Sequence, residues 1–86
     1  MQIKKELLKR QIGGDSFLIP MGKTVYDANG MFILTELGAF LWDRLPQAEN
    51  PEALVQAVLA EYEVDETTAR ADIDAFLEKL VSMGIL

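Results

Sequence analysis

The sequence predicts an α+β fold in which a three-stranded antiparallel sheet is followed by three helices. Two turn signals in the N-terminal half, Gly13-Gly14 and Asn29-Gly30, each lie between short runs of β-prone residues. After residue 34, apolar residues recur at spacings of three and four, which is typical of amphipathic helices. With 86 residues, of which 50% are hydrophobic, the chain is expected to form a single domain over residues 1–86 with a thin core.

The glycine pair predicts a β-hairpin between strands near residues 7–12 and 16–20. Both glycines tolerate the positive φ angles that tight hairpin loops require. Pro20 is expected to end the second strand, because proline cannot donate a ladder hydrogen bond. These signals place two antiparallel strands at the start of the chain.

A third strand is predicted at Met31–Leu34, after a type I′ turn at Asn29-Gly30 that reverses the chain from Val25–Ala28. Its four consecutive apolar residues, "MFIL", indicate that both faces of the strand are apolar. The lysines, prolines and bulge signals that usually protect a sheet edge are absent between residues 31 and 35. If this strand lies at an edge, it can accept an added peptide strand. The alternative is that a homodimer partner or a swapped hairpin covers it.

Each of the three predicted helices has its own start signal. Thr35 and Asp65 are expected N-caps, and Asn50 is a third N-cap followed by proline at the first helical position. Pro46 should end the first helix, and Gly84 suits the left-handed position after the third. The apolar stripe of the third helix consists of Ala69, Ile73, Phe76, Leu77 and Leu80. This order of elements is the inventory of a winged helix-turn-helix domain, which is an argument about fold alone.

The composition excludes several kinds of chemistry. The chain has neither cysteine nor histidine, which removes disulfides, thiol nucleophiles, the commonest metal ligands and the commonest general base. We therefore expect no enzymatic activity, no metal and no cofactor. The net charge of −6 is concentrated in residues 43–86, which sum to −7 and would repel nucleic-acid phosphates. No stretch is apolar and long enough for a membrane span, and no signal peptide is evident, so a cytoplasmic location is expected.

Two segments carry a resemblance to a known family. The stretch "NGMFILTELGAFLWDRL" and, after a helix that begins Asn-Pro-Glu, the stretch "VDETTARADIDAFLEKL" resemble the PqqD family. These are small proteins of pyrroloquinoline quinone biosynthesis, with relatives known as RiPP recognition elements. The resemblance covers nearly the whole chain, from "GGD" to "LVSMGIL". Thr35 stands where many members are expected to have asparagine, but both residues cap helices.

The resemblance implies a non-catalytic, winged-helix-like peptide-binding domain. Such domains bind the leader of a ribosomally made precursor peptide and present it to a modifying enzyme, often a radical SAM protein. The leader adds as a strand beside the third strand, against the third helix, where Arg70 or Asp74 would pair with leader charges. On this chain the implied peptide-binding residues are Met31, Phe32, Ile33, Leu34, Ala69, Arg70, Ile73, Asp74 and Leu77. The alternatives from the residues alone are a winged helix-turn-helix DNA-binding domain and a homodimeric interaction module.

Overall fold

The computed structural model describes residues 1–22 and 32–86, and it confirms the predicted order of three strands followed by three helices. The predicted strand at 25–28, the turn at Asn29-Gly30 and the residue Met31 lie outside the described residues. The elements are β1 (Leu7–Ile12), β2 (Asp15–Pro20), β3 (Phe32–Leu34), α1 (Glu36–Arg44), a 3-10 turn (Leu45–Gln47), α2 (Pro51–Glu61) and α3 (Glu66–Ser82).

The predicted hairpin joins β1 to β2 through a two-residue loop. Ile12 pairs with Asp15 at the end of the ladder, so Gly13 and Gly14 form the whole connection. Gly13 has φ +64°, whereas Gly14 is not among the residues with positive φ. Positive φ at the first loop position alone is the pattern of a type II′ turn. The loop therefore needs glycine at its first position and not at its second.

The sheet has the order β1-β2-β3 and is antiparallel throughout. β2 lies in the middle, and Phe17 of β2 is paired with Ile33 of β3. Within residues 1–22 and 32–86, no strand lies on the other side of β3. In this part of the chain, β3 is therefore an edge strand.

The core lies between the inner face of the sheet and the three helices. Leu18 and Leu34 supply the strand side of the core, with 0% and 5% of their surface exposed. The helices complete it with the fully buried side chains Leu41, Leu45, Leu54, Ile73 and Leu80. Because all three helices contribute to one core, the position of α3 relative to the sheet is fixed by close packing.

The outer face of the sheet carries exposed apolar side chains. Residues paired across antiparallel strands share a face, so the register places Leu8, Ile12 and Ile33 on the side opposite Leu18. These three side chains are 42%, 53% and 64% exposed, respectively. The sheet therefore has its helices packed on one side.

All three predicted N-caps are confirmed. Thr35, Asn50 and Asp65 each accept a hydrogen bond from the backbone N–H three residues later, at 3.0, 3.0 and 2.8 Å. Gly84 adopts φ +75° after the last turn of α3, and the Ile85 N–H donates to the Leu80 carbonyl at 2.9 Å. These caps fix where each helix begins and where α3 ends. Of the helices described, none is long and apolar enough to cross a membrane.

Candidate peptide-binding groove

A groove runs between β3 and α3, beside the N-terminal turn of α1. It consists of two adjoining cavities of about 210 and 360 Å³, which share Thr35, Gly38, Ala75 and Phe76. Because they share these walls, we treat them as one feature, the β3–α3 groove. Its remaining lining residues are Phe32, Ile33, Leu34, Leu37, Leu41, Asp72 and Lys79.

Gly38 makes the middle of the groove possible. A methyl group at this position would lie 3.4 Å from Phe76 Cε1, 3.5 Å from Leu34 Cδ2 and 3.2 Å from Thr35 Oγ1. The missing side chain therefore lets the Phe76 ring approach the first turn of α1. We call this narrow apolar part, formed by Gly38, Ala75 and Phe76, the waist of the groove.

The two ends of the groove carry opposite charges. At one end, the Lys79 ammonium lies over the Phe32 ring, 4.6 Å from its centroid, which is within the range of a cation–π contact. The cavity at the other end is lined by the exposed residue Asp72 together with Leu37 and Leu41. The groove thus runs from a cation, past an apolar waist, to an anion.

The β3 residues singled out from the sequence do line this groove. Phe32 and Leu34 point to the helix side, half-buried and buried, while the Ile33 side chain points to the outer face. All three residues contribute to the groove wall that faces α3. Met31 lies outside the described residues.

Two of the predicted α3 residues do not reach the groove surface. Ala69 and Ile73 are 1% and 0% exposed, so their side chains belong to the core. The expectation that they face the groove is corrected for a geometric reason. They lie on the apolar stripe that packs against the other helices, whereas the groove is lined by Asp72, Ala75 and Lys79 on the neighbouring side of α3.

Asp74 and Leu77 lie on a different side of α3 from the β3–α3 groove. They line a separate shallow cavity together with Glu78, Val81 and Ser82. Asp74 and Asp72 are two residues apart and therefore project from different sides of the helix. The acidic residue that the structure brings to the groove is Asp72, rather than the predicted Asp74.

Arg70 is held by two carboxylates away from the groove. Its guanidinium lies 2.7 Å from a Glu52 oxygen on α2 and 3.2 Å from a Glu66 oxygen one turn earlier on α3. The hydrogen bonds that Arg70 donates to Glu52 and then to Glu66 raise the pKa of Arg70, and the bond to Glu52 lowers the pKa of that carboxylate. This arrangement ties α2 to α3 through two intramolecular ion pairs. The pairing of Arg70 with a leader charge stays a prediction.

Eight groove residues were not predicted from the sequence: Thr35, Leu37, Gly38, Leu41, Asp72, Ala75, Phe76 and Lys79. A signal for the helical part was present, since Asp72, Ala75, Phe76 and Lys79 follow the spacing i, i+3, i+4, i+7 of one helix side. That side is polar at both ends and resembles an ordinary solvent-exposed surface. Only the packing angle of α3 shows that it faces β3.

No group of three or more acidic, histidine or cysteine side chains within residues 1–22 and 32–86 is placed to hold a metal ion. The groove therefore presents apolar surface, two charges and a strand edge.

Comparison with known proteins supplies the family. A family model described as coenzyme PQQ synthesis protein D (PqqD) matches residues 22–86. The chain belongs to the PqqD family. This confirms the resemblance drawn from the sequence, and the matched PqqD region contains β3, α1, α2 and α3 with the whole groove.

The PqqD-family chain is also similar to solved structures. TbiB1 in complex with the TbiA(beta) leader peptide is 28% identical, with a TM-score of 0.76, over 100% of this chain and 94% of that one. Lasso peptide synthetase B1 complexed with the leader peptide is 24% identical, with a TM-score of 0.74, over 98% and 93%. The second likeness concerns the fold alone. A search of curated proteins found no match.

Proposed function

We propose that this PqqD-family chain binds the leader of a ribosomally made precursor peptide by strand addition to β3. The leader would lie in the β3–α3 groove and be presented to a modifying enzyme, such as a radical SAM protein. The observation that carries the proposal is the juxtaposition of an edge strand with an apolar groove. No described strand pairs with the outer edge of β3, and the groove runs directly beside it.

Each part of this arrangement suits an extended peptide. The main-chain groups of an edge strand supply affinity that is independent of sequence, while pockets for alternate side chains supply specificity. A side chain placed opposite Leu34 would point toward the waist, where Ala75 and Phe76 line the groove. The similarity to TbiB1, a protein solved in complex with a leader peptide, supports a peptide as the occupant.

A role in delivery fits the chemistry that the chain lacks. With no cysteine and no histidine, it has no thiolate for an iron–sulfur cluster and no imidazole for acid–base work. The proposal therefore assigns the covalent modification to a partner enzyme and the recognition of the precursor to this chain.

The proposal is tested by titrating the isotope-labelled chain with leader peptides of short open reading frames found near its gene. We expect the largest amide shifts at Phe32–Leu34 and at residues 75–79. Methylation of single leader amides should weaken binding at alternate positions, because only every second N–H of a strand faces its neighbour. Uniform tolerance of methylation would contradict strand addition, and shifts confined to the cavity at Asp74 and Ser82 would contradict the site.

A matched pair of variants controls for the helix itself. Ala75→Glu places a charged side chain in the groove, whereas Ala71→Glu changes another exposed alanine, one turn earlier, that does not line it. Both should fold, because neither alanine is buried. We expect Ala75→Glu to abolish leader binding and Ala71→Glu to preserve it. Equal affinity of the two variants would count against the groove.

A further inference from the structure

The charges at the ends of the β3–α3 groove define the class of peptide that it selects. Lys79 and Asp72 are exposed, and neither forms an ion pair with another residue in the described part of the chain. In contrast, Arg70 on the same helix is neutralised by Glu52 and Glu66. Among the described α3 residues, Lys79 is therefore the cation without an ion pair, and Asp72 is the unpaired acid that lines the groove.

The geometry relates these charges to positions along an added strand. Lys79 lies seven residues after Asp72 on α3, which corresponds to about 10 Å along the helix axis. Four residues of an extended strand span about 13 Å, and residues i, i+2 and i+4 share one face. Long charged side chains can bridge the small difference between these two lengths. The outer two of three alternate peptide side chains can thus reach the two charged ends.

The strand register indicates which peptide position lies at which end of the groove. A peptide residue opposite Phe32 lies at the end where the Lys79 ammonium covers the Phe32 ring. The residue two positions away, opposite Leu34, meets the waist, and the next on that face passes Thr35 toward Asp72. β3 runs from the Lys79 end to the Asp72 end, opposite to α3.

We infer that the groove selects peptides in which an acidic residue, an apolar residue and a basic residue occupy three alternate positions. The acidic side chain lies at Lys79, the apolar one in the waist and the basic one at Asp72. For addition antiparallel to β3, the order from N- to C-terminus is basic–x–apolar–x–acidic. This inference rests on the proposed strand addition and adds to it the charge order of the leader.

The probe is a pair of fluorescein-labelled peptides with identical composition and opposite charge order, with cores Lys-Thr-Leu-Thr-Glu and Glu-Thr-Leu-Thr-Lys. We expect the first to bind more tightly, and its affinity to fall as salt is added. Replacing its glutamate by glutamine should weaken binding roughly twofold to fivefold, the range for one exposed ion pair. A preference for the second peptide, or no binding of either, would overturn the inference.

Charge exchange tests the individual contacts. Lys79→Glu should weaken the Lys-Thr-Leu-Thr-Glu peptide and be rescued when the peptide glutamate is changed to lysine. Asp72→Asn should reduce the contribution of the peptide lysine, whereas the matched variant Asp74→Asn, outside the groove, should not. Equal effects of the two asparagine variants would overturn the assignment of Asp72.

The outcomes separate this inference from the proposed function. If the encoded leader binds with amide shifts at Phe32–Leu34, yet is insensitive to Lys79→Glu and Asp72→Asn, strand addition stands and the charge order is wrong. If the encoded leader does not bind at all, the proposed function fails as well.

Discussion

Phe76 packs against Gly38 so closely that a methyl group added to the glycine would lie 3.4 Å from the phenylalanine ring. This contact joins α3 to the first turn of α1 at the waist of the β3–α3 groove. The glycine N–H also donates to the Thr35 hydroxyl at 3.0 Å, so the position combines helix capping with groove shape.

The first prediction separates these two contributions. Gly38→Ala keeps the capping N–H and should gain up to about 1 kcal/mol of helix propensity. Crowding against Thr35 and Phe76 offsets this gain, so we expect an unfolding free energy within about 1 kcal/mol of the wild type. Leader binding should nevertheless weaken several-fold, because the methyl group reduces the space at the waist. Denaturant unfolding measures the unfolding free energy, and peptide titration of the same sample measures the affinity. Unchanged affinity would contradict the claim that space at the waist limits binding.

The second prediction concerns the two faces of the sheet. Leu18→Ala removes a side chain that is 0% exposed and should lower the unfolding free energy by about 2–5 kcal/mol. Leu8→Ala makes the same chemical change on the neighbouring strand, at a side chain that is 42% exposed, and should cost clearly less. The unfolding free energies of the two variants are compared by urea denaturation monitored through Trp42 fluorescence. Similar losses in the two variants would contradict the assignment of inner and outer faces.

The third prediction is a pH dependence centred on the N-cap of α3. Hydrogen bonds from the Thr68 N–H and then the Thr68 hydroxyl lower the pKa of Asp65. Because the folded state holds this pKa below the unfolded value, the stabilisation is complete above the ordinary aspartate pKa of about 3.9. It is lost as the pH falls through the depressed folded-state value.

Asp65→Asn keeps a capping oxygen but cannot titrate. The difference in unfolding free energy between wild type and this variant should therefore shrink between pH 6 and strongly acidic conditions. Chemical denaturation across that range measures it. Parallel stability profiles would show that the Asp65 charge contributes nothing to the fold.

The fourth prediction distinguishes a structural from a binding role for Arg70. Arg70→Gln removes both ion pairs, to Glu52 and to Glu66, and should lower stability modestly at low salt and less at high salt. Leader affinity should stay unchanged, because the side chain does not line the groove. A selective loss of affinity without a loss of stability would restore the role that the sequence suggested for Arg70.

The elements of this fold were predictable because each has a local cause. Each helix is capped by a side chain that accepts a hydrogen bond from the backbone N–H three residues later; the caps are Thr35, Asn50 and Asp65. The hairpin loop depends in the same local way on the positive φ of Gly13. Such signals depend on a few neighbouring residues. The third strand was predicted for a similar reason, since an apolar run after a turn signal is also local.

The helical wall of the groove depends on packing between distant elements. Ala69 and Ile73 carry the strongest apolar pattern of α3, and that pattern identifies the core side. The groove side, with Asp72 and Lys79 at its ends, has the polarity of a solvent-exposed surface. Which side of a helix faces an edge strand is set by the packing angle, and periodicity contains no information about that angle.

The bare outer side of the sheet has a consequence for how leaders change during evolution. A strand added to β3 would direct every second side chain to the side where Leu8, Ile12 and Ile33 are exposed and no described helix packs. Substitutions at those alternate positions would meet solvent and leave affinity nearly constant. Under the proposed strand addition, precursors served by the same domain would diverge at half of their bound residues, and contiguous sequence identity would understate how related they are.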